Sequence, residues 1–188
     1  PGTDFRVALK RTDLRLMVER IRARRSSSGM TPLRLRRATD KDCRMFWEWA
    51  NDRQVRSAGF VSAPIPWTDH VVWFSAHLES DLVSIYVLET NEGVPAGQVR
   101  FEVNSAGEAE IGLSLASEWR GRKLASDALC LACDTFRHAA ASTAVAHVKP
   151  NNLASVRTFE KAGFRYVGSE RVRGQDAIRM ERMLTAAV

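Results

Sequence analysis

Three strand-like stretches follow one another in the middle of this sequence, and they constrain its fold more than any other feature. They run from Val83 to Glu89, from Val94 to Asn104 and from Glu108 to Leu115. Turn residues separate them, around Asn91 to Gly93 and around residues 104–107. Strands joined by such short turns pair antiparallel. The centre of the chain is therefore predicted to be an antiparallel meander.

Helical and strand patterns on both sides of the meander predict a mixed α/β fold. Before it we expect a strand at Leu33–Arg37, a helix at Asp40–Asn51, and a second helix that is capped by Thr68. After it the patterns predict a long helix at Leu124–Ala140, a strand at Thr143–Val148, a helix at Asn152–Ala162, and a closing hairpin of Phe164–Glu170 and Ala177–Thr185. The expected architecture is a central mixed, mostly antiparallel sheet of about six to seven strands, flanked by about four helices.

Positive charge is concentrated at the N-terminus. Residues 1–29 contain eight basic and three acidic side chains, whereas residues 30–188 contain 20 basic and 19 acidic ones. Residues 13–24 have the spacing of an amphipathic helix, and a serine-rich linker follows. This tail could be an arm for nucleic acid or a membrane surface; we favour an expression remnant or the end of a preceding domain. We therefore divide the chain into a basic tail or linker, 1–29, and one folded domain, 30–188, whose charge says little about its ligand.

The sequence indicates a cytoplasmic protein with reduced thiols. No apolar run approaches the roughly 18 to 20 residues that cross a bilayer, and the N-terminus lacks the order of a signal peptide. Cys43, Cys130 and Cys133 are an odd set without a secretory signal, so we expect free thiols. Cys130 and Cys133 fall inside a predicted helix with no second pair or histidine nearby, so we expect core residues, and no metal site is expected.

A strand, a basic loop and a helix start follow in order over Glu110 to Ser126, with the sequence EIGLSLASEWRGRKLAS. The first turn of a helix leaves N–H groups unpaired, and its dipole favours an anion. Arg120, Arg122 and Lys123 add positive charge there. The segment therefore favours a phosphate site, although such a loop alone is common in α/β proteins.

Two motifs resemble those of the GNAT acetyltransferase superfamily. Arg120–Ala125, RGRKLA, is similar to the R/Q-x-x-G-x-G/A pyrophosphate loop, and Asn152–Phe164 is similar to the N-x-x-S…F-E-K-x-G-F segment after it. The resemblance extends over about Leu33 to Leu184. It implies acetyl-CoA as cosubstrate and transfer of acetyl to a primary amine by direct attack in a ternary complex. The residues that it implies for acetyl-CoA binding are Leu113, Leu115, Arg120, Gly121, Arg122, Lys123, Leu124, Ala125, Ser126, Asn152 and Ser155.

The chain departs from the family pattern at three positions. Lys123 stands where the loop usually has glycine, which is workable if its φ is negative, and Ala125 stands at the second small position. Phe159 stands where many members have the tyrosine that protonates the leaving thiolate. That acid is therefore expected to be absent or supplied from elsewhere.

Two neighbouring strands are predicted to share a polar face. Period-two alternation puts Glu110 on it in one strand and Arg100 and Glu102 on it in the other. A solvated surface would show the same pattern, but the resemblance places this pair of strands beside the acetyl group. We expect Glu110 to be the general base, with Glu102 second, and burial to raise the pKa of the base toward neutrality. An amide near Leu113 to Leu115 would polarise the thioester carbonyl.

The segments Trp47–Arg56 and Ile65–Phe74 resemble acetyltransferases of nucleotide-linked amino sugars, of the type found in pseudaminic acid biosynthesis. The resemblance implies that Asn51, Arg56 and His70 line the substrate pocket, and Arg100 is added from the polar face. The tryptophans are expected mainly to pack helices on the sheet. A structural role for His70 is an equal alternative.

Other functions stay open. The strand motif and the N-x-x-S helix also occur in protein N-terminal acetyltransferases of the ribosomal-protein type, and Phe159 would suit a catalytically idle CoA-binding module. Nucleic-acid binding would rest on the tail alone and would show steep salt dependence, so no nucleic-acid partner is expected. The favoured partner is a small-molecule amine, with no membrane; similar proteins commonly form a homodimer through the closing hairpin.

Overall fold

The computed structural model describes residues 33–184. The tail 1–29, with its expected helix at 13–24 and its serine linker, lies outside the described residues. The expected mixed α/β fold is confirmed, with seven strands and five α-helices in this part of the chain. No helix of residues 33–184 is long and apolar enough to span a bilayer.

The helices and strands follow one another in the order that the sequence predicts. The strands are β1 Leu33–Arg37, β2 Val83–Thr90, β3 Pro95–Val103, β4 Glu108–Leu115, β5 Thr143–Val148, β6 Arg165–Val172 and β7 Gln175–Met183. The α-helices are α1 Cys43–Ala50, α2 Arg53–Ala58, α3 Trp67–Glu79, α4 Leu124–Thr135 and α5 Leu153–Lys161. Short 3-10 turns at Asp40–Asp42 and Ser117–Trp119 precede α1 and α4.

The seven strands form one sheet in the order β1-β2-β3-β4-β5-β7-β6. The predicted meander is confirmed, because β2, β3 and β4 pair antiparallel in sequence order. Strands β4 and β5 are parallel, and they pair only from Glu108–Thr143 to Glu110–Val145. Beyond Glu110 the two strands no longer pair, which leaves the second half of β4 without a neighbour on that side.

Helices cover the two faces of the sheet at different ends. Phe46 of α1 and Phe74 of α3 pack on Ile85 and Val87 of β2. On the opposite face α4 and α5 cover the centre of the sheet, in a core that includes Phe101, Leu129, Phe136, Phe159 and Met180. On the α1/α3 side, β3 and β4 carry polar side chains, with Gln98 opposite Ser114 and Glu102 opposite Glu110.

Three sequence predictions of helix position are corrected by the structure. Pro66, with an extended backbone, caps α3, and Thr68 lies inside the helix. Helix α4 ends at Thr135 instead of Ala140, because Phe136 leaves the helical conformation and stacks on Phe101 with ring centroids 4.1 Å apart. Helix α2 was not predicted as a separate helix.

Candidate active site

The unpaired half of β4 presents backbone groups toward the gap between β4 and β5. The amide of Asn104 donates to the carbonyl of Glu108, and that of Ala116 donates to Ala96, so even-numbered residues of β4 bond to β3. Successive residues of a strand direct their N–H and C=O groups to opposite sides. Residues 111, 113 and 115 therefore direct their N–H and C=O groups into the gap. An extended chain with amide groups, such as a pantetheine arm, can pair with these groups.

The loop between β4 and α4 is shaped to hold an anion. Gly121 has φ 73°, Lys123 has φ 61°, and α4 has no side-chain cap at its N-terminus. The guanidinium of Arg122 lies over the Trp119 ring, 4.8 Å from its centroid. The positive φ of Lys123 corrects the expectation of a negative one: this residue adopts the left-handed conformation that favours glycine. The uncapped amides at the start of α4 fit the phosphates of acetyl-CoA.

The remaining residues expected at the cofactor are placed by two helix starts. Leu124 is buried, and Ala125 and Ser126 are half-buried in the first turn of α4. Asn152 caps α5, because its Oδ1 accepts from the amide of Ser155 at 3.2 Å. The structure thus gives Asn152 a definite role in starting α5, in the motif that follows the loop.

The side chain of Arg120 turns away from the loop toward the acceptor side. Its Nε donates to the carbonyl of Leu115 at 3.0 Å, and its Nη1 lies 2.9 Å from Oδ1 of Asp52. The same Nη1 donates to Oε1 of Gln54 at 2.8 Å. The guanidinium of Arg120 is thus committed to the start of α2, and the positive charge expected of it at the phosphates is reduced.

Helix α2 bridges the open end of the gap between β4 and β5. Arg120, just after β4, holds its start, whereas Nζ of Lys149, just after β5, donates to the carbonyl of Ser57 at 3.0 Å. Beyond the helix, Gln175 of β7 donates to the carbonyl of Phe60 at 2.6 Å. We call residues 52–60 the α2 bridge. It ties both strands of the gap to one cover.

The predicted polar face of β3 and β4 is present on the α1/α3 side of the sheet. Gln98 donates to the hydroxyl of Ser114 at 3.0 Å, across the strand pair. The guanidinium of Arg100 lies 5.2 Å from the ring centroid of Trp73 in α3, and 3.9 Å from the carboxylate of Glu102. The face is thus walled by an aromatic ring on one side and open toward β5.

Glu110 lies on this face beside a histidine that the sequence analysis missed. Its Oε1 is 3.3 Å from Nδ1 of His147 on β5, and its side chain is 57% exposed. The His147 contact, together with the charges of Arg100 and Arg173, lowers the pKa of Glu110. The expectation of a raised pKa is therefore wrong: burial does raise it, but the contact with His147 outweighs that effect. His147 is two residues beyond Val145, the parallel partner of Glu110, and so shares its face; this register is not visible in the sequence.

Two of the residues expected in the substrate pocket are explained by packing. Asn51 accepts from the amide of Ile65 at 2.7 Å and donates to its carbonyl at 3.1 Å, which closes the loop before α3. His70 is 2% exposed, and its Nε2 lies 3.1 Å from the carbonyl of Cys43. Burial lowers the pKa of His70. Neither side chain is therefore assigned to the substrate site.

Arg56 differs from these two residues. Its Nε is buried without a hydrogen-bond partner, and no ion pair of residues 33–184 includes its guanidinium. It lies on the α2 bridge. Arg56 is therefore available to a ligand anion.

The aromatic residues of α1 and α3 form a continuous packed row. Trp47 donates to the carbonyl of Ile65 at 2.8 Å and meets Trp67 edge-on. Trp73 packs on His77 with ring centroids 4.3 Å apart. These contacts agree with the packing role expected for the tryptophans, and Trp73 alone of these rings also contacts the polar face, through Arg100.

The thiols and the metal-ligating side chains of residues 33–184 indicate no further chemistry. Cys43, Cys130 and Cys133 are free, and burial raises the pKa of Cys133 to about 12, which makes it unreactive. No cluster of three metal-ligating side chains occurs among residues 33–184.

Comparisons with known proteins agree with this geometry. Residues 32–165 match the family model of the acetyltransferase (GNAT) domain. The fold is similar to that of spermidine N-acetyltransferase from Vibrio cholerae in complex with CoA and spermine, with a TM-score of 0.73, 23% identity, and coverage of 82% of this chain and 97% of that chain. It is also similar to the aminoglycoside acetyltransferase AAC(6')-Ib in complex with paromomycin and acetyl-CoA, with a TM-score of 0.71, 22% identity, and coverage of 81% and 93%.

At such identities the solved structures show the fold alone. No curated protein matches this chain. The family model, however, covers most of the chain, including the β4–α4 loop and the whole unpaired half of β4. The chain belongs to the GNAT family of acetyltransferases and is an acetyl-CoA-dependent N-acetyltransferase.

Proposed function

We propose that this enzyme acetylates a primary amine of a small molecule that also carries an anionic group, and that a nucleotide-linked amino sugar is the acceptor. The observation that carries the proposal is the charge around Glu110. The charges of Arg100 and Arg173 both act on this carboxylate. An acceptor with a phosphate or carboxylate gains from these two cations.

Arg56 supports the same class of acceptor. Its guanidinium forms no ion pair among the described residues, so a phosphate can bind it without displacing one. Guanidinium groups bind phosphate through paired donors. Arg56 on the α2 bridge and Arg100 on β3 are therefore the proposed contacts for the anionic part of the acceptor.

The proposed chemistry is direct attack of the neutral amine on the thioester carbonyl. Glu110 accepts a proton from the acceptor, and Glu102, its direct cross-strand partner on β3, is the second candidate base. An amide of the unpaired half of β4, at Leu113 or Leu115, donates to the carbonyl oxygen as negative charge develops there. Holding amine and thioester in attack geometry lowers the barrier by about 7 to 11 kcal/mol. The base contributes a rate factor of roughly 10² to 10⁴, which corresponds to the smaller value of about 3 to 5 kcal/mol.

The proposed cosubstrate site uses backbone groups more than charges. The amides of Gly121 to Ser126 hold the pyrophosphate, and residues 113 and 115 pair with the pantetheine arm. Arg122 and Lys123 add charge at the rim, where both side chains are exposed. Arg120 contributes its backbone, because its guanidinium holds the α2 bridge.

The experiment measures thiol release from acetyl-CoA with UDP- and CMP-linked amino sugars, spermidine, an aminoglycoside and N-terminal peptides. We expect turnover of an amino sugar. In Arg100→Gln the KM for this acceptor is expected to rise, whereas Arg137→Gln, a surface control after α4, should change it little. Turnover confined to spermidine or the aminoglycoside would overturn the anionic acceptor. Turnover confined to peptides would assign the enzyme to protein acetylation, and no turnover with any amine would favour an idle CoA-binding module.

We also propose that residues 30–188 are sufficient for this activity. Deletion of 1–29 is expected to leave kcat/KM for the best acceptor of the panel unchanged. A loss of activity in the deletion variant would assign the tail a part in the working enzyme.

A further inference from the structure

His147 lies between two carboxylates beneath the surface of the polar face. Its side chain is 13% exposed, with Nδ1 3.3 Å from Oε1 of Glu110 and Nε2 in close contact with Oε1 of Glu170 on β6. Both ring nitrogens are buried, and each lies against one carboxylate oxygen. The imidazole therefore contacts both acids at once.

The charged groups around His147 and Glu110 lie on four strands and one turn. Arg179 of β7 lies 3.8 Å from the carboxylate of Glu170 through its Nη1, while its Nη2 pairs with Glu108 and Glu181 at 2.7 Å. On the other side Arg100 of β3 and Arg173 of the β6–β7 turn act on Glu110. Both carboxylates reach the surface, Glu110 with 57% and Glu170 with 40% of its side chain exposed, and the buried imidazole connects them.

We propose that His147 is a positioning residue that takes the acceptor's proton from Glu110 and carries it away from the attacking nitrogen, with Glu170 stabilising the imidazolium. The inference rests on the proposed function only in that an amine is the acceptor. It does not depend on which amine that is.

The protons balance as follows. The acceptor enters as an ammonium ion; one N–H bond breaks, its electron pair stays on nitrogen, and the proton passes to Glu110 and then to Nδ1 of neutral His147. From the imidazolium this proton leaves to solvent. A second proton leaves nitrogen after the C–N bond has formed and ends on the CoA sulfur as the C–S bond breaks. The products are the amide, the CoA thiol and one released proton.

The carboxylates set the pH at which this relay operates. Glu110 first, and then Glu170, raise the pKa of His147 against the effect of its burial. The relay needs neutral His147, so activity is expected to rise as pH increases through this raised pKa. Removing the charge of Glu170 lowers the pKa of His147, so the rise is expected at lower pH in Glu170→Gln.

The first test needs no acceptor. The imidazole resonances of the full chain are followed against pH by NMR. The resonance that disappears in His147→Gln is assigned to His147, and His138→Gln is the matched control. We expect the assigned ring to titrate above the ordinary value of 6.5 and to shift down in Glu110→Gln and in Glu170→Gln. A ring that titrates at or below 6.5, or that does not respond to Glu110→Gln, would overturn the proposal.

The second test measures kcat/KM against pH with whichever amine the panel shows to be turned over. His147→Gln is expected to lose about 10- to 100-fold and the rise with pH, as partners of a catalytic group commonly do, whereas His138→Gln keeps both. Glu170→Gln is expected to move the rise to lower pH. An unmoved profile in Glu170→Gln contradicts the relay, whatever the acceptor, whereas failure of the amino sugars alone contradicts only the proposed function.

Discussion

Arg120, in the loop between β4 and α4, pairs with Asp52, the cap of helix α2, at 2.9 Å. The same Asp52 oxygen accepts from the amides of Gln54 and Val55, so one carboxylate starts the helix and also ties it to the loop. The Arg120 contact and these amides lower the pKa of Asp52. The β4–α4 loop and the start of α2 are therefore tied together by the side chains of Arg120 and Asp52.

Replacing Asp52 separates its two roles. Asp52→Ala removes the cap and the ion pair, and we expect it to cost about 1 kcal/mol of stability and to raise KM for the acceptor. Asp52→Asn keeps the cap and removes the charge, so KM is expected to rise with little loss of stability. Thermal unfolding and steady-state kinetics on both variants check this. Equal stability losses would show that capping contributes nothing here.

Lys123 pays a conformational cost in the cosubstrate loop. With φ 61° its Cβ is strained by about 1–2 kcal/mol, of which the greater chain entropy of glycine offsets about half. Lys123→Gly is expected to gain roughly 0.5–1 kcal/mol in chemical unfolding. Lys123→Ala keeps the Cβ and should gain nothing, while both variants lose the same amount of acetyl-CoA affinity. A gain in the alanine variant would place the strain elsewhere.

Two glycines of the β3–β4 pair are expected to behave in opposite ways. A Cβ on Gly97 would lie 2.4 Å from the carbonyl oxygen of Ser114, which is backbone, so Gly97→Ala is expected to cost about 3 kcal/mol or more. A Cβ on Gly112 meets nothing within 4 Å, so Gly112→Ala should fold normally. Its methyl group projects beside Glu110 on the polar face, and kcat/KM is expected to fall. Unfolding curves and kinetics distinguish the two effects, and a stable Gly97→Ala would contradict the close contact.

Arg36 neutralises two buried carboxylates beside α1. Its guanidinium donates to Asp42 at 2.7 Å and to Glu89 at 2.6 Å, and both acids are nearly inaccessible to solvent. Arg36→Met is expected to cost about 3 kcal/mol at pH 7, because it leaves the buried carboxylate of Asp42 without a cation. Arg34→Met, which removes an exposed partner of Glu89, should cost at most about 1 kcal/mol.

The ion pair of Arg36 and Asp42 predicts that the free energy of unfolding depends on pH. Arg36 lowers the pKa of Asp42 below its ordinary value of 3.8, so the folded chain binds this proton less readily than the unfolded chain. The stabilisation is present above pH about 4 and is lost as pH falls through the lowered pKa. The difference in unfolding free energy between the wild type and Arg36→Met is thus expected to shrink at about pH 3. A constant difference would contradict the assignment.

The strands and the cosubstrate loop could be read from the sequence because their signals are local. Alternation in β3 and β4 follows from burial of one face, the apolar run of β2 follows from burial of both faces, and turn residues mark the strand ends. The loop sequence Arg120–Ala125 carries its function in backbone groups that any similar loop presents. These parts of the fold need no knowledge of distant contacts.

The parts that could not be predicted depend on distant residues. Helix α2 has six residues and no apolar periodicity, and it is held by Arg120 and by Lys149, which is 92 residues from its partner Ser57. Helix α4 ends early because Phe136 packs on another strand. The pKa of Glu110 falls because the parallel β4–β5 pair brings His147 beside it, and that register appears only in the folded sheet.

The base is the part of this account that one measurement tests most directly. We would compare kcat for thiol release in the wild type and in Glu110→Gln at saturating acceptor, with acetyl-CoA affinity measured by calorimetry on both. The account predicts a fall in kcat of about 10² to 10⁴ at pH 7.5 with unchanged acetyl-CoA affinity. An unchanged kcat across pH would contradict it and remove Glu110 from the chemistry.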